Sequence, residues 1–190
     1  MVKTYDSRFT IHELFDMLST FQYTDKERQL IQMIKEGSTA PAFKTTDANG
    51  ETVNLKDYRG QKVVLYFYPK DDTPGCTKEA CSFRDSFSKF KKQGIVVLGV
   101  SPDSEASHKK FAAKYKLPFT LLADKDRSIS ETYGVYGEKK FMGRTYMGVH
   151  RTTFLIDEKG KIKKVFEKVK PDEHASEVLE AFAELVLPLN

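Results

Sequence analysis

The segment VVLYFYPKDDTPGCTKEAC, residues 63–81, indicates the fold class of this 190-residue chain. Its first six residues form a continuous apolar run rich in β-branched and aromatic side chains, which is typical of a strand buried on both faces. Thr73 and Pro74 then suit the start of a helix, because Thr is a favoured N-cap and Pro is tolerated at the first helical position. The polar loop before this helix lies at the carboxyl end of the strand, where α/β proteins build their functional sites.

The rest of the chain continues the alternation of strands and helices and ends with a strand pair and a helix. This order predicts an α/β fold, a thioredoxin-like three-layer sandwich. The predicted strands are 52–55, 63–68, 95–100, 119–122, 153–157 and 161–166, the predicted helices are 74–92, 104–116, 127–133 and 172–186, and 134–150 is predicted to be a loop.

The beginning of the chain has the pattern of a helical hairpin that precedes this domain. Two T-x-x-E sequences, at 10–13 and 24–27, match the capping box that satisfies amide groups at a helix start. Gly37 suits the end of the second helix. We therefore predict two units, an N-terminal helical extension at 1–37 and the α/β domain at 38–190. The hairpin's apolar faces leave two alternatives open, packing on its own domain and self-association.

The composition is that of a soluble protein, with 31% charged residues, a mean hydropathy of −0.50 and a formal net charge of +4. Opposite charges are interspersed, so no nucleic-acid partner is expected. No apolar run approaches the roughly 18 residues of a membrane span, and the N-terminal residues lack the pattern of a signal or transit peptide. We therefore expect a cytoplasmic protein that has no membrane partner.

Cys76 and Cys81 are the only cysteines in the sequence. In a reducing cytosol such a pair is more often catalytic, redox-active or metal-binding than a structural disulfide. A zinc site needs two further ligands, and the histidines show no ligand-like pairing with the cysteines, so no metal site is expected. The four histidines are His12, His108, His150 and His174.

The predicted helix places the two cysteines differently. Cys76 falls at the third helical position, where free amide groups and the positive end of the helix dipole favour a thiolate. Five residues along an ideal helix separate the two Cα atoms by roughly 8.6 Å, whereas a disulfide requires about 7 Å or less. A bond between Cys76 and Cys81 therefore requires the first turns of the helix to unwind. Cys76 also opens an apolar stripe that continues through Ala80, Phe83, Phe87 and Phe90.

Pro69, Thr73 and Cys76 match the P-x-x-x-[TS]-x-x-C signature of peroxiredoxins. With Cys81 five residues further on, the segment resembles the subfamily of bacterioferritin comigratory protein and PrxQ. The similarity covers most of the chain and leaves out the N-terminal hairpin. It includes the sequences APAF at 40–43, GEKKFMG at 137–143 and HRTTFLID at 150–157.

The resemblance implies a role for each site residue. Cys76 is expected to be the peroxidatic nucleophile, and Cys81 is expected to resolve its sulfenic acid as an intramolecular disulfide. Arg151 is expected to stabilise the thiolate and polarise the peroxide oxygens. Thr73 is expected to hydrogen-bond the thiolate or the peroxide, and Pro69 to shield the sulfur from water.

The resemblance also implies the partners of the reaction. The substrate is expected to be hydrogen peroxide or an organic hydroperoxide, and thioredoxin or a similar dithiol is expected to recycle the enzyme. No cofactor is expected, and the oligomeric state is expected to be a monomer or a weak homodimer. Two further side chains have alternatives: Glu79 either orients Arg151 or is a solvated helix residue, and His150 lies at the pocket rim or is a neutral surface or core histidine.

Two other functions remain open at the level of sequence. The first is a thioredoxin-like disulfide oxidoreductase without peroxide chemistry, against which the C-x-x-x-x-C spacing argues, because such enzymes use C-x-x-C. The second is a noncatalytic redox sensor that binds a partner through its N-terminal hairpin.

Overall fold

The computed structural model describes residues 34–141 and 143–185. The chain divides into two units, residues 1–33 and residues 34–190. The predicted helical hairpin lies outside the described residues, so its existence and the division at residue 37 stay predictions. None of the helices among the described residues combines the length and the apolar character of a membrane span.

The described residues form nine strands, four α-helices and one 3-10 turn, and this arrangement confirms the predicted α/β class. The strands are β1 (Lys44–Asp47), β2 (Thr52–Asn54), β3 (Lys62–Phe67), β4 (Ile95–Ser101), β5 (Thr120–Ala123), β6 (Tyr136–Phe141), β7 (Arg144–Val149), β8 (Thr152–Ile156) and β9 (Ile162–Phe166). The helices are α1 (Pro74–Lys92), α2 (Glu105–Tyr115), α3 (Ser128–Thr132) and α4 (His174–Glu184), and the 3-10 turn is Leu55–Tyr58.

Seven strands form one mixed sheet in the order β2-β1-β5-β4-β3-β8-β9. Strands β3, β4 and β5 are parallel, whereas β8 runs antiparallel to β3. Because the carboxyl ends of parallel strands meet at one edge of the sheet, the loops that follow β3, β4 and β5 lie side by side there. The cysteine-bearing helix α1 begins at this edge.

Strand β3 is buried on both faces, as its apolar run predicts. Successive side chains point to opposite faces of the sheet, so the strand contributes to two separate cores. The first core packs β3 against α1, α2 and α4, and the ring of Phe83 in α1 stacks on Tyr66 with their centroids 4.9 Å apart. The second core lies on the other face and contains Leu65, Phe67 and Ile129 of α3. The protein therefore has helices on both sides of the sheet.

Helix α1 has the predicted bounds, and its buried stripe is the predicted one. Cys76, Ala80, Phe83 and Phe90 are buried, and Phe87 is half-buried against the ring of Phe119. The apolar stripe thus ties the middle and the end of α1 to the sheet.

The prediction of a loop at 134–150 is wrong. Strands β6 and β7 form an antiparallel hairpin there, with Tyr136 opposite Val149 and a turn at Gly143, whose φ of 76° suits glycine. Four successive residues of β7, 144–147, are exposed. The segment therefore lacks the apolar alternation by which strands are recognised. Polar strand β1, with the sequence KTTD, escaped prediction for the same reason.

Gly99 in β4 yields a prediction about stability. A Cβ atom at this position would lie 2.7 Å from Cζ of Tyr66 and 2.8 Å from Cδ2 of Leu121, two fully buried side chains. Because neither neighbour has space to move, Gly99→Ala should lower the free energy of unfolding by about 1–3 kcal/mol, as measured by urea denaturation.

The matched control is Gly148→Ala in β7. A Cβ there would lie 3.2 Å from the half-exposed ring of Tyr146 and 3.3 Å from the Lys139 side chain, both of which can shift. Equal losses of stability in the two variants would contradict the packing argument.

Candidate active site

Cys76 is the third residue of α1 and is only 2% exposed. Thr73 is the N-cap by its extended backbone, and Pro74 occupies the first turn, as predicted. The Thr73 side chain makes no capping hydrogen bond, however. The Thr73 hydroxyl donates to the carbonyl oxygen of Lys70 at 3.0 Å and thus turns back into the loop. The backbone carbonyl of Thr73 accepts the amide of Thr77 at 2.8 Å.

Arg151 contacts the cysteine directly. Its Nη2 donates to Sγ of Cys76 at 3.2 Å. The sheet explains the contact: β8 pairs antiparallel with β3, so that Thr152 lies opposite Phe67, and the residue just before β8 reaches the carboxyl end of β3. The structure therefore brings the predicted arginine to the start of α1, where it adds a positive charge to the free amides of the first turn.

Glu79 lies one helical turn after Cys76 and is completely buried, so the alternative of a solvated residue is wrong. Its Oε2 accepts a hydrogen bond from Nη1 of Arg151, and among the described residues its Oε1 has no hydrogen-bond partner. Burial raises the pKa of Glu79 to about 7, although Arg151 acts in the opposite direction. Although burial lowers it, the pKa of Arg151 is raised overall by Glu79 and Cys76.

Gly75 provides the space for this contact. A Cβ at this position would lie 3.3 Å from Nη2 of Arg151, closer than most side chains tolerate. The absence of a side chain at residue 75 thus allows the guanidinium to approach the sulfur.

The β6–β7 hairpin contributes a second cation. Lys139 of β6 is half-buried, and its Nζ donates to the carbonyl oxygen of Val149 at 3.0 Å. Burial and the nearby Arg151 lower the pKa of Lys139, whereas Cys76 raises it. His150 is largely exposed, and partial desolvation together with Lys139 lowers its pKa. His150 is therefore a surface residue beside the site.

Cys81 and Pro69 lie near the contact without joining it. Cys81 is half-buried in the next turn of α1, and both cysteines are free thiols in an unbroken helix. Pro69 follows β3 and is half-buried. The structure thus brings Arg151 into contact with both Cys76 and Glu79 and leaves Cys81 further along the same helix.

A family model for the AhpC/TSA family matches residues 37–165. This chain belongs to that family. Peroxiredoxin Bcp of Escherichia coli K12 is 51% identical over 146 residues, which are 77% of this chain and 94% of the relative. The resemblance to the peroxiredoxins found from the cysteine motif is therefore confirmed.

Two solved structures agree with the thioredoxin-like peroxiredoxin fold. The bacterioferritin comigratory protein of Xanthomonas campestris, which has alkyl peroxide reduction activity, superposes with a TM-score of 0.71 at 36% identity, covering 75% of this chain and 91% of that one. A cysteine-to-serine mutant of PrxQ from Xylella fastidiosa gives a TM-score of 0.77 at 34% identity, covering 81% and 98%. The chain is a thiol peroxidase of the peroxiredoxin type.

This peroxiredoxin also has a wide cleft that is lined by neither cysteine. Its volume is about 430 Å³, and it lies beside β1 and β5, where Lys44, Glu105 and Asp124 are among its lining residues. It contains neither cysteine, so the site is identified by its chemistry and not by its size. Among the described residues, no group of three or more histidine, cysteine, aspartate or glutamate side chains is arranged to hold a metal ion.

The buried Glu79 makes the stability of this peroxiredoxin depend on pH. Its pKa is about 7 in the folded protein and near 4.5 in the unfolded chain, so the folded form holds an extra proton between these values. The free energy of unfolding therefore falls as the pH rises through this range, by up to roughly 3 kcal/mol from this group. Glu79→Gln should remove that part of the slope in urea denaturation between about pH 5 and about pH 8.

Glu105→Gln is the control. Hydrogen bonds from Lys125 and Thr46 contribute to lowering the pKa of Glu105 to about 2. The contribution of this carboxylate to the free energy of unfolding is complete above its unfolded pKa and is lost only as the pH falls toward 2. Its removal therefore leaves the pH dependence of the free energy of unfolding above about pH 5 unchanged. Parallel pH curves for the wild type and Glu79→Gln would contradict the protonation of Glu79.

Proposed function

We propose that Cys76 is the peroxidatic cysteine of this enzyme and that Arg151 activates it. The observation that carries the proposal is the 3.2 Å hydrogen bond from Nη2 of Arg151 to Sγ of Cys76 at the first turn of α1. A guanidinium and a helix N-terminus both favour negative charge on the sulfur. The thiolate is the nucleophilic form of cysteine, so this is where peroxide is attacked.

In the first step the Cys76 thiolate attacks one peroxide oxygen and the O–O bond breaks. The sulfur is oxidised to a sulfenic acid, while the leaving oxygen takes the bonding electrons and a proton and departs as water or an alcohol. An ordinary thiol is already about 3% ionised at pH 7, so complete ionisation accelerates the step by only about thirtyfold. The larger part of the acceleration comes from alignment of the peroxide and from stabilisation of the leaving oxygen by Arg151.

Three neighbouring side chains support this step. Glu79 is a positioning residue, because its bond to Nη1 directs the other arm of Arg151 toward the sulfur. The Thr73 hydroxyl donates to the Lys70 carbonyl, so its oxygen is left to accept a hydrogen bond from the peroxide. Pro69 shields the sulfur from water beside the loop.

In the second step Cys81 resolves the sulfenic acid. The first turns of α1 unwind, the Cys81 sulfur displaces the hydroxyl of the sulfenic acid as water, and a disulfide forms. Thioredoxin or a similar dithiol then transfers two electrons to this disulfide and restores both thiols. The Xanthomonas relative with alkyl peroxide reduction activity supports organic hydroperoxides as substrates beside hydrogen peroxide.

The remaining assignments complete the proposal. The enzyme acts as a monomer or weak homodimer in the cytoplasm and needs neither nucleic acid nor a membrane. Because the sulfur carries the redox change, the cycle needs no metal or other cofactor. Peroxide-dependent turnover with thioredoxin distinguishes this function from a disulfide oxidoreductase, which would pass the electrons of NADPH to a substrate disulfide and would need no peroxide.

The two cysteines should respond differently to replacement. Cys76→Ser should abolish peroxide consumption, because the nucleophile is lost. Cys81→Ser should still consume one equivalent of peroxide, form a sulfenic acid that dimedone traps, and turn over with small thiols in place of thioredoxin. Each variant controls for the other, since both substitute the same helix, and equal residual activity in the two would overturn the assignment.

Replacement of Arg151 should slow the first step alone. Arg151→Met should lower the second-order rate constant for oxidation of Cys76 by about 100-fold or more, which is the usual effect of removing one donor from a developing negative charge. Stopped-flow mixing with dimedone quenching measures this rate constant. Arg59→Met is the control, because Arg59 donates to the carbonyl of Lys159 in the turn between β8 and β9 and contacts neither cysteine. A similar loss in both variants would refute the role of Arg151.

A further inference from the structure

The loop between β3 and α1 carries two aspartates that the reaction above does not use. Asp71 is only 6% exposed although it belongs to a loop. Its Oδ1 accepts the hydroxyl of Tyr68 at 2.7 Å, and its Oδ2 accepts the hydroxyl of Ser107 at 2.8 Å. The same Oδ2 lies 2.9 Å from Nδ1 of His108. Both carboxylate oxygens therefore have hydrogen-bond partners: Oδ1 bonds to Tyr68, which follows β3, and Oδ2 bonds to Ser107 and His108 of α2.

His108 continues this network into the sheet. It is completely buried, and its Nε2 lies 3.1 Å from the carbonyl oxygen of Leu122 in β5. A carbonyl oxygen and a carboxylate oxygen both only accept hydrogen bonds, so a ring that bonds to both of them donates from Nε2 and from Nδ1, as an imidazole does when each nitrogen carries a proton. The ring therefore links the loop to β5 through α2.

The backbone of the loop is held as well. The amide of Asp71 donates to Oδ2 of Asp103 at 2.8 Å, and this oxygen also accepts the hydroxyl of Ser101 at 2.7 Å. Ser101 is the last residue of β4. The carboxyl ends of β3 and β4 are therefore joined through the loop that leads to Cys76.

Asp72 fixes the outer side of the same loop. Its φ of 55° lies in the left-handed region, which is unfavourable for a residue other than glycine unless its surroundings hold it. Its carboxylate accepts Nζ of Lys114 at 2.7 Å and 2.9 Å and the hydroxyl of Tyr115 at 2.6 Å. The last residues of α2 thus hold Asp72 in the conformation that directs the chain into α1.

We propose that these contacts form a clasp which stabilises the wound first turn of α1 and so sets how long Cys76 stays in its peroxide-reactive position. The clasp consists of the loop residues Asp71 and Asp72 and their four partners on α2, which are Ser107, His108, Lys114 and Tyr115. Asp71 and Asp72 are positioning residues, since they act on Cys76 through the loop. The inference rests on the proposed roles of Cys76 and Cys81.

The clasp matters because the sulfenic acid has two fates. While the first turn is wound, a second peroxide can oxidise it to a sulfinic acid, with loss of water or an alcohol from the peroxide. Once the turn unwinds, Cys81 displaces the hydroxyl as water and the disulfide forms. A clasp that favours the wound form raises the share of sulfinic acid, and a weaker clasp raises the share of disulfide.

The test measures this partition in the full-length protein. Asp71→Asn keeps the shape of the side chain but places an NH₂ group where Oδ2 or Oδ1 accepts hydrogen bonds. Intact mass spectrometry during turnover with thioredoxin measures the hydrogen peroxide concentration at which half of the protein gains two oxygen atoms. In Asp71→Asn this concentration should rise about fivefold, as expected for the loss of one hydrogen bond. The double variant Lys114→Met/Tyr115→Phe, which alters only the outer arm, should shift it in the same direction.

The control is Asp124→Asn. Asp124 is a buried carboxylate that accepts the amides of Ile129 and Ser130 at the start of α3, so its loss destabilises the fold without touching the loop. A shift of the same size in this variant, no shift in Asp71→Asn, or a shift toward sulfinic acid would overturn the clasp. A wild-type protein that never forms the Cys76–Cys81 disulfide would overturn the proposed function, and the clasp with it. A wild type that forms the disulfide, with an unchanged partition in Asp71→Asn and in Lys114→Met/Tyr115→Phe, overturns the clasp alone.

Discussion

The hydrogen bond between Arg151 and the buried sulfur of Cys76 is the interaction on which the site depends. A charged guanidinium beside an almost inaccessible sulfur is costly to desolvate unless its other groups are also paired. Glu79 supplies that pairing from inside the same helix. The three groups therefore have to be buried together, and the fold has to deliver them from two distant parts of the chain.

Strand β3 makes this delivery possible. It lies between β4 and β8, so the helix that follows it and the arginine that precedes β8 meet at one edge of the sheet. Rings on one face of β3, including Tyr66, pack against Phe83 and hold α1 in a fixed direction. The apolar residues that make β3 a buried strand thus also fix the position of Cys76.

Sequence reasoning predicted the parts of this arrangement that depend on local patterns. The apolar run predicted strand β3, and the Thr-Pro helix start predicted helix α1. The cysteine spacing predicted that both cysteines lie on this helix, too far apart for a disulfide while it is wound. The β6–β7 hairpin was missed, since strands exposed to solvent carry no apolar alternation, and Lys139 was missed with it. The Asp71–His108 contact joins residues 37 positions apart. No local pattern reports such a pair, although an aspartate in the loop before a cysteine is a signal worth testing against distant histidines.

In the proposed cycle the first turn of α1 must be wound when Cys76 reacts with peroxide and must unwind when the disulfide with Cys81 forms. Its sequence reflects both requirements. It lacks a side-chain cap and an acidic residue, and Pro74 and Gly75 contribute little to helix stability, so few interactions resist unwinding. Further along, Phe83 and Phe90 are completely buried and keep the rest of the helix in place. Unwinding is thereby confined to the first turns of α1, before Phe83. Because the turn itself is weak, its wound form must be held from outside the helix, by Arg151 on one side and by the loop aspartates on the other.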